Sequence, residues 1–122
     1  MSTNLNVTEI KAFIPARNYE LSKQFYQDMG FVMKSDRDGV AYFNFQNSSF
    51  LLQDYYDQGL AENLMIHLLV ENATDWHQVL SQKGLTEKFD IHISDPEERP
   101  WRMIDFTMTD PSGVLWRIAN NI

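Results

Sequence analysis

The apolar positions of this chain fall into short alternating runs and two amphipathic stretches. From Thr8 to Ile14, Ile10, Ala12 and Ile14 share one face and Lys11 and Phe13 the other. That is the period-two pattern of a strand, which Pro15 ends. Asn18 is placed to cap a helix whose apolar stripe holds Leu21 and Phe25, with Gly30 as its stop. Strands are predicted to start at Phe31-Val32-Met33 and to run over Val40–Phe45 and Ser49–Tyr55. Asp36-Arg37-Asp38-Gly39 and Gln46-Asn47-Ser48 are the turns between them. Asp57 to Asn63 is polar, contains Gly59, and reads as a linker.

The same order then recurs. Leu64–Val70 alternates, with Met65, His67 and Leu69 on one face and Ile66, Leu68 and Val70 on the other. Asn72 precedes a second helix carrying Trp76, Val79 and Leu80, and Gly84 stops it. Asn18 and Gly30 map onto Asn72 and Gly84 at an offset of 54, as do Tyr26 onto Leu80 and Phe31 onto Leu85. The repeat predicts an α+β fold of two similar βαβββ modules, at about 8–56 and 64–120. The second module continues through Lys88–Ile93 and closes on a hairpin folded about Asp110-Pro111-Ser112-Gly113. There Asp bonds forward into the turn, Pro fixes φ, and Gly tolerates a positive φ. Each helix covers one sheet face, and the opposite faces are left to form a shared concavity.

Composition narrows the function classes. The 122 residues, 43% hydrophobic and 13% aromatic, suffice for one domain, 1–122, around one core. Cysteine is absent, which excludes disulfides and thiolate metal sites and fits a reducing, cytoplasmic setting. A net charge of −7 argues against a nucleic-acid partner and attracts a cationic small ligand at long range, or serves solubility alone. No apolar run approaches the roughly 20 residues of a membrane span. The N-terminus lacks the plan of a signal peptide, so no membrane partner is expected.

Phe25-Tyr26-Gln27-Asp28-Met29-Gly30-Phe31 fits the pattern F-Y-x-x-x-G-F, and Asp110-Pro111-Ser112-Gly113 fits D-P-x-G. With the repeat, these residues resemble the vicinal oxygen chelate superfamily. It includes glyoxalases, extradiol dioxygenases, and fosfomycin- and bleomycin-resistance proteins. The resemblance covers Glu9 to Ala119 and implies the glyoxalase/bleomycin resistance/dioxygenase fold. Pro100-Trp101 with Asp105-Phe106 resembles the P-W-G-x-x-(D/E)-F stretch of the bleomycin-resistance-like branch, with Arg102 in place of Gly.

Enzymes of the superfamily hold a divalent metal through His, Glu or Gln at equivalent strand positions. By that resemblance the positions fall at Lys11, Gln53, Met65 and Arg117. Lys and Arg are cations and do not ligate a divalent metal as they stand. No metal and no cofactor are therefore expected. His67 shares a face with Met65, but a lone His is not a metal site. His77 is expected to face solvent, and His92 lies in a strand near a polar loop. There is no Cys nucleophile, G-x-S-x-G elbow or P-loop, so no residue is assigned catalysis. Asp95, Glu97, Glu98 and Arg99 read as a solvated edge.

The expected ligand surface holds Lys11, Phe13, Gln53, Tyr55, Met65, His67 and Arg117, a mix of aromatic walls and polar points suited to a small-molecule pocket. Trp101 lies on a loop edge and can stack on a flat ligand. Asp105 or nearby carboxylates are expected to supply negative charge. Trp76 is expected between helix and sheet, and Trp116 in the core. The resemblance implies a non-enzymatic protein that sequesters a flat, cationic, bleomycin-like molecule in the cleft of a homodimer, an antibiotic-resistance role. The alternatives are a metal-dependent lyase, transferase or dioxygenase, and an accessory or regulatory binding domain. Lys11 and Arg117 locally favour an anionic group on the ligand.

Overall fold

Asn18 and Asn72 start the two long helices in the same way: each side-chain oxygen accepts a backbone N–H three residues on, from Leu21 and Asp75. The computed structural model describes residues 2–122. Its elements are β1 (Phe13–Pro15), α1 (Tyr19–Met29), β2 (Val32–Arg37), β3 (Val40–Phe45), β4 (Ser48–Gln53), α2 (Gln58–Asn63), β5 (Met65–Leu69), α3 (Ala73–Gln82), α4 (Leu85–Phe89), β6 (Glu97–Arg99), β7 (Met103–Thr109) and β8 (Leu115–Asn121). They form two four-stranded sheets of the same topology, ordered β1-β4-β3-β2 and β5-β8-β7-β6. In each, the first strand lies parallel to the last and the remaining pairs are antiparallel. These are the two expected βαβββ modules. No described helix is long and apolar enough to cross a membrane.

The inner sheet faces and the helices share one core. Tyr26, Phe31 and Phe50 of the first module meet Trp116 of the second, with ring centroids 5.6–5.7 Å apart. Offset and edge-on aromatic pairs at this distance are favourable. At the centre, the Tyr26 hydroxyl donates to Asp110 Oδ2 (2.6 Å) and Trp116 Nε1 donates to the Tyr26 oxygen (3.0 Å). Asp110 Oδ1 accepts the N–H groups of Ser112 and Val114. The two sequence signatures therefore touch: Tyr26 belongs to one and Asp110 to the other. Both are buried, so their role is to join the modules. Burial pushes the Asp110 carboxyl above its ordinary range, against the opposing pull of Tyr26 and the backbone N–H groups.

The structure departs from the sequence pattern at several points. The strand expected over Thr8–Ile14 is confined to β1, and Ile10 is 91% exposed. The ladder to β4 begins at Phe13↔Leu51, so the earlier residues have no strand to pair with. Pro15 lies inside β1, which sits at the sheet edge, where a missing N–H is tolerated. The expected linker Asp57–Asn63 holds α2, because the Asp57 side chain caps Leu60 N and Ala61 is buried beneath it. Lys88–Ile93 does not form a strand. Lys88 and Phe89 end α4, and Ile93 makes only a single bridge to Met108. Gly84, at φ +68, starts α4 where the repeat calls for a strand. The charged run ending at Arg99 contains β6, an edge strand paired with β7 on one side and with Glu97 and Glu98 exposed, so the expected solvated edge is strand rather than loop. His77 is half-buried and packs edge-on against Phe106, with centroids 5.1 Å apart, instead of facing solvent.

Candidate functional site

Strand alternation separates an inner face of each sheet, packed on the core, from an outer one. On the second sheet, His67, Arg117 and Thr107 are register partners and form one transverse row of the outer face. Met65 and Asp105 share that face, since each lies two residues from a member of the row on its own strand. Asp105 is fully buried because two guanidinium groups cover it. Arg99 Nε donates to its Oδ1 and Arg117 Nη1 to its Oδ2, both at 2.9 Å. Burial opposes ionisation of this carboxyl, but the Arg99 and Arg117 hydrogen bonds outweigh it and hold Asp105 below the usual range. Arg99 also lies 3.1 Å from Glu97.

On the first sheet, Phe13, Leu51 and Tyr42 form an outer row, with Gln53 on the same face. Lys11 reaches this face from the segment before β1. Its ammonium lies 2.7 Å from Glu9 and 5.0 Å from the centre of the Tyr42 ring. Glu9 also accepts from Tyr42 and Ser49. Tyr55 follows β4 and is 50% exposed. Trp101 stands at the turn joining β6 to β7, 58% exposed, with the Arg99 guanidinium 6.0 Å from its ring centre. Arg102, beside it, has φ +65. This is the position at which the resembled stretch carries Gly, and the left-handed backbone explains that preference.

The nine expected ligand residues thus divide into groups. Lys11, Phe13 and Gln53 lie on one outer face, with Tyr55 at its margin. Met65, His67, Asp105 and Arg117 lie on the other, and Trp101 stands at a turn. Among the described residues no hydrogen bond or ion pair joins the two faces. Neither of the two best-formed cavities of the single chain is lined by any of the nine. The larger, about 1050 Å³, opens between the modules instead, beside Phe45, Leu68, Trp76 and Val79.

Solved structures carry the same arrangement. A bleomycin-binding protein in complex with bleomycin superposes with a TM-score of 0.80 at 19% identity, covering 95% of this chain and all of that one. TnmS3, an antibiotic binding protein from Streptomyces sp. CB03234, gives 0.76 at 17% identity over 98% of this chain and all of its own. A glyoxalase/bleomycin resistance protein/dioxygenase from Nocardioides gives 0.71 at 17% identity over 98% of this chain and 87% of its own. The chain has the glyoxalase/bleomycin resistance fold. No family model matches its sequence. No curated protein matches it by sequence either.

Within this fold, the metal positions implied by the resemblance fall on Lys11, Gln53, Met65 and Arg117. Two cations, an amide and a thioether do not fit a divalent ion. Among the described residues no group of three His, Cys, Asp or Glu is disposed to hold one. Asp105, expected to offer negative charge to a cationic ligand, instead has both of its oxygens taken by arginines. Arg99 is the residue that sequence reasoning missed. Its signal lay in the Pro100-Trp101-Arg102 turn, which sets Arg99 opposite Met103 and so diagonal to Asp105.

Proposed function

We propose that this chain binds and sequesters a small organic molecule without transforming it, in a cleft lined by the outer faces of the two sheets and completed by a second copy of the chain. One observation carries the reading. Both outer faces present apolar side chains beside polar ones, and Phe13 and Met65 are each more than half exposed. A surface of that mixture suits a flat ligand held by a few polar points. Trp101, exposed at its turn, supplies a stacking platform. The fold neighbours described as bleomycin-binding and antibiotic binding proteins support this ligand class.

Thermal unfolding tests the proposal. The protein is melted alone, with Zn²⁺, Ni²⁺, Mn²⁺ or Fe²⁺, with a chelator, and with bleomycin. A ligand at 100 times its Kd stabilises by about 2.7 kcal/mol, well within reach of a melting curve. The expected result is a shift with bleomycin that the metals do not produce and that Trp101→Ala abolishes. A metal-induced shift reversed by the chelator would overturn the reading in favour of a metal-dependent lyase, transferase or dioxygenase.

A further inference from the structure

We infer that the outer face of the second sheet is an oxyanion site, in which Arg117 and His67 receive a carboxylate or phosphate group of the ligand. This rests on the reading of that face as a ligand surface and names the chemistry it recognises.

The argument starts from donor accounting. A guanidinium offers five N–H donors in a rigid fork. Arg99 spends two donors, Nε on Asp105 and Nη1 beside Glu97. Arg117 makes one described hydrogen bond, from Nη1 to Asp105 Oδ2. Its side chain remains 24% exposed, so further donors are open to an incoming group. His67 is the register partner of Arg117 on the neighbouring strand and faces the same way. It is exposed and has no described hydrogen-bond partner. Beyond the one bond to Asp105, the Arg117–His67 side of the row therefore presents donors with no described partner.

Asp105 is what makes this a prepared site. Buried and ionised, it fixes both arginines in place before any ligand arrives. A pre-oriented guanidinium loses less side-chain entropy on binding and suits the planar, two-oxygen geometry of carboxylate and phosphate. The chain as a whole is acidic, at −7, so a part-buried guanidinium with free donors here runs against the general charge. Asp105 and Glu97 match the two guanidinium charges, so recognition of an anionic group rests on the free Arg117 donors rather than on a net positive charge.

The test follows the Arg117 Nε–Hε resonance by NMR in the intact protein. Inorganic phosphate, 1-naphthoate and its neutral analogue 1-naphthamide are titrated at constant ionic strength. Saturable shifts with phosphate and naphthoate are expected, with naphthoate bound at least tenfold more tightly than naphthamide. Calorimetry should show that Arg117→Met removes that advantage, that Arg117→Lys keeps part of it, and that His67→Ala weakens naphthoate severalfold. Equal affinity for naphthoate and naphthamide overturns the oxyanion site while leaving the organic pocket standing. Saturable phosphate binding with no gain from the naphthyl ring leaves the oxyanion site standing and removes the pocket for flat ligands. A resonance that none of the three compounds moves overturns the site, and so does a naphthoate preference that survives Arg117→Met.

Discussion

Removing one oxygen from Tyr26 strands two partners. Asp110 Oδ2 loses its donor, and Trp116 Nε1 loses its acceptor, both inside the core. An unsatisfied buried group costs about 1–3 kcal/mol. Tyr26→Phe is therefore expected to lower stability by about 3 kcal/mol, read from urea unfolding. Asp105 gives a pH-dependent counterpart. Its folded carboxyl titrates below the ordinary 3.8, so the stability it supplies is complete above that pH and is lost as the pH falls through the lower, folded value. Asp105→Asn leaves two arginines without their anion and costs about 3 kcal/mol at pH 7. The gap between variant and native protein should narrow as the pH is taken below 3.8, in urea melts across that range. Asp110 has the opposite sign. Its raised carboxyl lets the folded state keep a proton that the unfolded chain gives up, so ionising it works against folding as the pH rises above 3.8.

At the scale of elements, the β6–β7 turn holds the one non-glycine residue whose conformation the resemblance marks as foreign. Arg102 at φ +65 carries a left-handed backbone strain of about 1–2 kcal/mol, and glycine gives back about 0.5–1 kcal/mol in the unfolded chain. Arg102→Gly should stabilise by about 0.5 kcal/mol, a small rise in Tm by calorimetry with ligand binding retained. The elements legible in the sequence are those set by local chemistry. Asn18 and Asn72 announce their helices, Gly30 and Gly84 take positive φ where the repeat puts them, and Val40–Phe45 is a strand between its two expected turns. The illegible ones depend on a partner elsewhere. Alternation over Thr8–Ile14 could not reveal that β4 pairs only from Leu51. Leu85 and Phe89, four apart, suit a helix as well as a strand. Gly59 concealed the Asp57 cap. Asp105 looked available because its charge was visible in the sequence and its two arginines were not.

The whole molecule leaves its outer faces uncovered. Phe13 and Val32 on the first sheet, and Met65 and Leu69 on the second, are each 52–55% exposed. Apolar side chains repeated over one face mark an interaction surface rather than a solvated one. Phe13, Val32 and Met65 line neither of the two best-formed cavities of the single chain, and a second copy bringing its first sheet over this chain's second sheet would cover them. The two-module repeat favours that closure, because two similar faces can be covered in one symmetric, self-complementary step. Sedimentation at micromolar concentration is therefore expected to give a dimer. Leu69→Asp should shift it towards monomer, and Leu21→Asp, on α1 away from the outer faces, should not. The proposed cleft takes one wall from each chain, so ligand affinity should fall with the dimer. A native protein that sediments as a monomer and still binds its ligand with full affinity would put the whole site within one chain.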